Sequence, residues 1–291
     1  MDDYRKGVLI VAAGALLYAP DSLMLRLMNM EQWPTVFWRG LLGGGLVTLG
    51  YFAVYRLDLW RRWVMLGLPA IWFLVAYVIT TLCFVYAIRE TSVANTLFIV
   101  SISPVFSALI SWAVLGEKPD RRTIRTIILA LIGVGVIAWG AEDGGPNTWH
   151  GDLAALGAAF FLASTFVIAR SVRPMSMSPL VGPGGLISAL VASLFIADYS
   201  IPSGSIWPLL AMGLVIMPLA TLCLTTGPRL IPAPEVSLLM LIEAVFGPLI
   251  IWWALSEYPG DFTLIGGAVI LGALAWSSLE RLRQPSNPKK S

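Results

Sequence analysis

Three acidic or basic side chains stand well inside long apolar runs of this 291-residue sequence, away from their ends: Asp21, Arg39 and Glu243. A charge at mid-bilayer costs about 3 kcal/mol or more unless it is paired or hydrated, so such residues mark function before anything else does. Glu243 lies nine residues past Pro234, the start of its run, which is about 14 Å at 1.5 Å per residue and close to a bilayer midplane. Asp21 and Arg39 sit about 8–9 Å from the ends of theirs, at matching depth, and are expected to form a structural ion pair. For Glu243 two readings stay open: a carboxylic acid that hydrogen-bonds helices together, or a group presented to a substrate. Apolar surroundings disfavour a carboxylate, so it is expected to be mostly neutral at pH 7. Glu117 and Glu257 end their runs, where capping or tethering a loop is the expected role.

Enzyme chemistry has no constellation to work with. His150 is the one histidine and is expected in a loop; no nucleophile–base set, metal-ligand spacing or phosphate-binding glycine loop accompanies it. The expectation is no catalysis, no metal and no cofactor. Cys83 and Cys223 fall mid-run in separate halves and read as small hydrophobes. Aromatics divide in two. Trp33, Trp60, Trp63, Trp149, Trp207 and Tyr258 stand at run ends, as an interfacial belt does. Trp72, Tyr77, Tyr86, Phe98, Phe160 and Phe161 lie deeper, and some of them should line a cavity. A cavity with so few charges suits a substrate that is apolar, zwitterionic or both.

The elements that position these residues come from a duplication. The design of Ser92–Pro119 returns at Pro234–Pro259: Val105-Phe106, Trp112, Leu115, Glu117 and Pro119 fall on Val245-Phe246, Trp252, Leu255, Glu257 and Pro259 at an offset of 140. Thr81-Leu82-Cys83 falls on Thr221-Leu222-Cys223, and 17 of the 58 positions between Leu74 and Leu131 are identical without a gap. Gly7–Arg26 is echoed by Gly151–Arg170 at an offset of 144, which argues that the first run is a span and not a cleavable signal. The units expected are 1–145 and 146–291.

With 57% hydrophobic and 12% charged residues and a mean hydropathy of +0.80, the chain is a membrane protein. About 20 apolar residues cross a bilayer as a helix. That length gives an all-α membrane protein of ten spans: 7–27, 34–54, 64–87, 92–115, 123–140, 151–170, 180–197, 206–227, 234–255 and 262–280. Pro20, Pro104, Pro218 and Pro248 interrupt four of them, as kinks or as cavity walls. Gly40–Gly44 and Gly182–Gly185 read as close helix contacts. Sixteen Lys and Arg residues fall on one side of this arrangement and Arg89 alone on the other, so both termini are expected in the cytoplasm. Five spans per half is an odd number, so the second half must enter from the opposite face. Lys118, Arg121 and Arg122 are accordingly replaced by Tyr258, Asp261 and Phe262 at the equivalent turn. Inverted-topology repeats of this kind are an architecture of alternating-access transporters.

Thr91-Ser92-Val93-Ala94, Pro104-Val105-Phe106 and Leu115-Gly116-Glu117 resemble the EamA signature of the drug/metabolite transporter superfamily. Phe37-Trp38-Arg39-Gly40 is similar to that family's helix-2 arginine. Ile242-Glu243 is similar to its second-half Glu-Pro, with Ala244 here in place of the proline. The resemblance runs from Gly7 to about Glu280 and implies a ten-helix exporter of amino acids or other metabolites. In such a protein helices 1, 3, 4, 6, 8 and 9 line a central cavity. The cavity candidates are Tyr18, Trp72, Tyr77, Asn95, Phe98, Phe160, Phe161, Met217, Thr221 and Glu243. Aromatic content makes the YddG-like aromatic amino-acid exporters the nearest branch in this reading. The expected protein is a monomer in the cytoplasmic membrane, with a small-molecule substrate, lipid around it and no nucleic acid. Efflux of organic cations, with Glu243 as countercharge, is the alternative; a lipid-related or structural membrane role is the distant one.

Overall fold

A computed structural model describes residues 3–28, 30–56, 63–91, 93–139, 148–173, 175–256, 258 and 260–283. Among these residues every regular element is helical. In chain order they are α1 (Asp3–Tyr18), α2 (Asp21–Leu27), α3 (Gln32–Tyr55), α4 (Leu68–Glu90), α5 (Val93–Val100), α6 (Ser103–Leu115) and α7 (Arg121–Trp139). There follow α8 (Trp149–Ser171), α9 (Ser178–Ala192), α10 (Ile206–Ala211), α11 (Met217–Thr226), α12 (Ala233–Leu255) and α13 (Asp261–Arg283). Eight helical stretches are long and apolar enough to cross a membrane, and α13 adds a shorter apolar helix over Asp261–Ser277. Arg61-Arg62, Asp143 to Pro146, Glu257 and Pro259 lie outside the described residues.

Proline decides where the expected spans break. Pro104 has no N–H to give, and its ring crowds the carbonyl four residues back, Val100. Val100 is where α5 ends, and α6 restarts at Ser103. Pro20 separates α1 from α2 in the same way. Ahead of Pro218 the chain widens into a π-helical turn, Met212–Ile216, before α11. Pro248 behaves otherwise: α12 runs through it unbroken. Pro183 also sits inside a continuous helix, α9.

The helix packing closes on itself when the halves are exchanged. Helix α4 packs on α8 as α11 packs on α1, α6 packs on α8 as α12 packs on α1, and α3–α9 and α7–α13 pair with their own counterparts. Glycines show the correspondence at atomic scale. A Cβ on Gly151 would lie 2.8 Å from the Glu90 carbonyl carbon and the Thr91 nitrogen; one on Gly7 would lie 2.6–2.8 Å from Ile231 and Leu230. Those partners stand 140 residues apart and those glycines 144, the two offsets read from the sequence. Cys83 and Cys223 likewise each face a glycine of the opposite half, Gly157 and Gly14. At the α3–α9 crossing a Cβ on Gly44 would meet the Gly182 carbonyl oxygen at 2.7 Å, and one on Gly182 the Gly44 oxygen at 2.9 Å. The glycine clusters are therefore backbone contacts between the halves, and any larger residue there forces α3 and α9 apart.

Candidate functional site

Pro20 also builds the site. By stopping α1 it lets α2 restart with Asp21 in its first turn, where the exposed N–H groups favour an acid. The chain then turns into α3, whose second turn carries Arg39. The two meet as expected: Arg39 Nη2 donates to Asp21 Oδ1 and Oδ2, both at 3.0 Å, with the side chains only 17% and 10% exposed. Arg39 Nε donates to Met217 Sδ at 3.2 Å, which ties the pair to α11. A thioether is a weak acceptor, so that contact holds the guanidinium plane more than it neutralises it. Arg39 Nη1 makes no further bond among the described residues.

Arg39, Tyr77, Met217, Pro218 and Thr221 line a cavity of about 20 Å³, with Gly40, Gly43 and Gly44 on the α3 side and Val181 and Gly185 opposite. That volume is about one water molecule. Thr221 keeps its hydroxyl on the Met217 carbonyl at 2.6 Å, and Tyr77 packs against Gly184. Glu243, on α12, is half-buried and forms no hydrogen bond or ion pair among the described residues. It shares one electrostatic neighbourhood with Asp21, Arg39 and Tyr18, and Tyr18 in turn with Tyr77.

Of the cavity candidates, Tyr18, Tyr77, Met217, Thr221 and Glu243 are thus brought together with the Asp21–Arg39 pair. The others stand elsewhere. Trp72 is 57% exposed on the outer surface of α4, and Phe160, 42% exposed, packs edge-on against Phe106 and Phe161. Phe98 packs into the main apolar core with Val11, Phe166 and Leu241. Asn95 joins α5 to the start of α8, donating to Thr91 Oγ1 at 3.1 Å and to Asp152 Oδ1 at 2.5 Å. An aromatic in a membrane helix has two favourable surroundings, core and lipid, and periodicity in a run that is apolar all round does not separate them. Pro218, expected as a kink or a cavity wall, does line the cavity, whereas the glycines of its wall were read only as helix contacts. Their signal was present: removed side chains next to an intramembrane arginine leave room.

A second, partly buried ion pair lies at the basic end of the bundle. Arg170 Nε donates to Glu117 Oε2 at 2.5 Å, and Arg170 Nη1 donates to the carbonyls of Ile231 at 2.8 Å and Pro228 at 3.2 Å. Arg170 is inside α8, its side chain 9% exposed, and Arg122 is buried in α7 beside Asp120. The sequence count had placed both in solvated loops. Glu117 does tether neighbouring elements, and does so through this arginine. His150 belongs to the first turn of α8, stacked on Trp149, and not to a loop.

Long apolar helices in two matching sets, with a charge pair held among them, define a multi-pass membrane transporter. The chain belongs to the EamA-like transporter family, whose profile matches twice, over residues 5–139 and 149–279. Among curated proteins it is similar to YetK of Bacillus subtilis (strain 168), an uncharacterized transporter, with 24% identity over 220 residues. That match takes in 72% of this chain and 66% of the relative. A solved crystal structure shares the fold at a TM-score of 0.78 and 18% identity, over 96% of this chain and 99% of its own.

Proposed function

We propose that the protein exports small amphipathic metabolites, amino acids with apolar or aromatic side chains above all, by alternating access. The architecture in this reading is ten membrane crossings in two inverted five-helix repeats, with both termini in the cytoplasm and the monomer as the working unit. The observation that carries it is the charge arrangement at the site. Arg39 lines the cavity with its charge cancelled by Asp21, while Glu243 is half-buried and, among the described residues, without a partner. A zwitterion brings a carboxylate for Arg39 and an ammonium that donates a hydrogen bond to the neutral Glu243 carboxyl, and so adds no net charge to strand. A cavity of one water's volume is far below the ~300 Å³ of an ordinary ligand site, so it must widen to take such a solute.

Counterflow of a labelled aromatic amino acid into liposomes tests the reading. With Glu243 acting through a hydrogen bond, Glu243→Gln keeps most of the transport and Glu243→Ala loses more of it. Efflux of organic cations is the second reading, favoured by the same partnerless carboxyl; there Gln is as inactive as Ala and the native protein carries cations instead. Topology is tested separately. Lys118 and Tyr258 are repeat equivalents and both exposed, so Lys118→Cys should label from the cytoplasmic side alone and Tyr258→Cys from the other side alone. Labelling of both from one side removes the inverted repeat, and alternating access with it.

A further inference from the structure

Helix α6 carries Ser103, Ser107 and Ser111 on one face, four residues apart, and all three are at most 3% exposed. Among the described residues the hydroxyls of Ser107 and Ser111 have no hydrogen-bond partner, nor has that of Ser237 on α12, the helix that packs against α6. Helical serines readily bond the carbonyl four residues back, as Ser164 does here to Phe160 at 2.8 Å. Buried hydroxyls left unbonded are therefore an unfavourable feature of this packing, and each regains a partner when water reaches it. One turn beyond Ser111 the same helix ends at the Glu117–Arg170 pair. That pair joins the end of α6 in the first half to α8 and to the turn before α12 in the second. Arg170 makes three hydrogen bonds through one side chain, and they tie the end of α6, α8 and the turn before α12 together.

We propose that the serine face of α6, with Ser237 opposite, is the wall of the solute path in the state that opens toward the basic end of the bundle, and that Glu117–Arg170 is the latch holding this seam shut. The proposal rests on the alternating-access reading but on no particular substrate. It assigns Glu117 and Arg170 as positioning residues, which set how often the seam opens without touching the solute.

The test follows opening directly. In a Cys83→Ala/Cys223→Ala background, single cysteines replace Ser111, Ser237 or, as control, Ser188, which is 2% exposed on α9 with its hydroxyl bonded to Gly184. The rate of reaction with a small charged methanethiosulfonate is measured with and without Glu117→Gln. Loss of one charge-assisted hydrogen bond should raise the rate at Ser111 and Ser237 by about five- to tenfold and leave Ser188 unchanged. Glu117→Asp, which keeps the charge on a shorter arm, should give a smaller rise. Arg170→Ala removes three hydrogen bonds at once and is open to plain misfolding, so the isosteric Gln variant carries the decision. An unchanged rate at Ser111 and Ser237, or an equal rise at Ser188, overturns the latch. Because no substrate is added, a failed counterflow experiment leaves this result standing, and the reverse holds too.

Discussion

The duplicated helix exists here in two states. Its first copy is broken, as α5 and α6, and its second, α12, is continuous over 23 residues. At the break the first copy carries Pro104 where the second has Ala244, while the second runs through a proline of its own, Pro248. The residue before Pro104 differs as well, Ser103 against Glu243, so the unbroken copy carries the acid. Asp21 has no charged counterpart either; 144 residues on stands Thr165, which bonds its own helix at Leu162. The packing contacts repeat between the halves, whereas the charges of the site do not. Duplication conserves what backbone geometry requires, since a glycine contact fails if either side changes. A substrate has no such symmetry, and the side chains that meet it are free to differ.

The largest expected effect comes from the charges that only one half possesses. Arg39→Ala leaves the Asp21 carboxylate buried without its partner and should cost about 3–5 kcal/mol, read as thermal stability of the purified protein. Asp21→Asn with Arg39→Met removes both charges and should cost clearly less than Arg39→Ala alone. Additive losses would mean that the pair is not coupled, and the contrast between the halves would lose its main term.

A smaller effect tests the symmetry itself. Gly116 and Ser256, 140 residues apart, both cap their helices in the left-handed conformation, at φ 69° and 58°. A Cβ is strained there and a glycine is not. Ser256→Gly should therefore stabilise by about 1 kcal/mol and Gly116→Ala should destabilise by about the same. Equal signs for the two would show that the turns are not equivalent.

The smallest effect concerns the serine face. Ser107→Ala removes a hydroxyl that has no partner, so thermal stability should stay within about 0.5 kcal/mol of native or rise slightly. A loss above 2 kcal/mol would mean that Ser107 is bonded after all.

Composition and repetition alone determined the class of protein and its two halves, and gave an expected depth for each intramembrane charge. These follow from local rules: a bilayer sets helix length, and an offset shared by Thr-Leu-Cys and Glu-x-Pro needs no coordinates. The Asp21–Arg39 pair was legible for the same reason, because two opposite charges at one depth have few other partners. Tertiary structure decided the rest. It turned Trp72 outward and Phe98 into the core, where the sequence had offered both to a cavity. The Arg170 and Arg122 side chains moved from the loop count to buried positions: Arg170 pairs with Glu117, which is distant in sequence, and Arg122 is covered although its partner Asp120 is exposed. It let α12 run through Pro248 while α5 stopped short of Pro104. Whether a proline breaks a helix depends on what surrounds the freed carbonyl, and an aromatic's place on lipid or core depends on which faces meet. Both are properties of neighbours, and neighbours are fixed only when the helices pack.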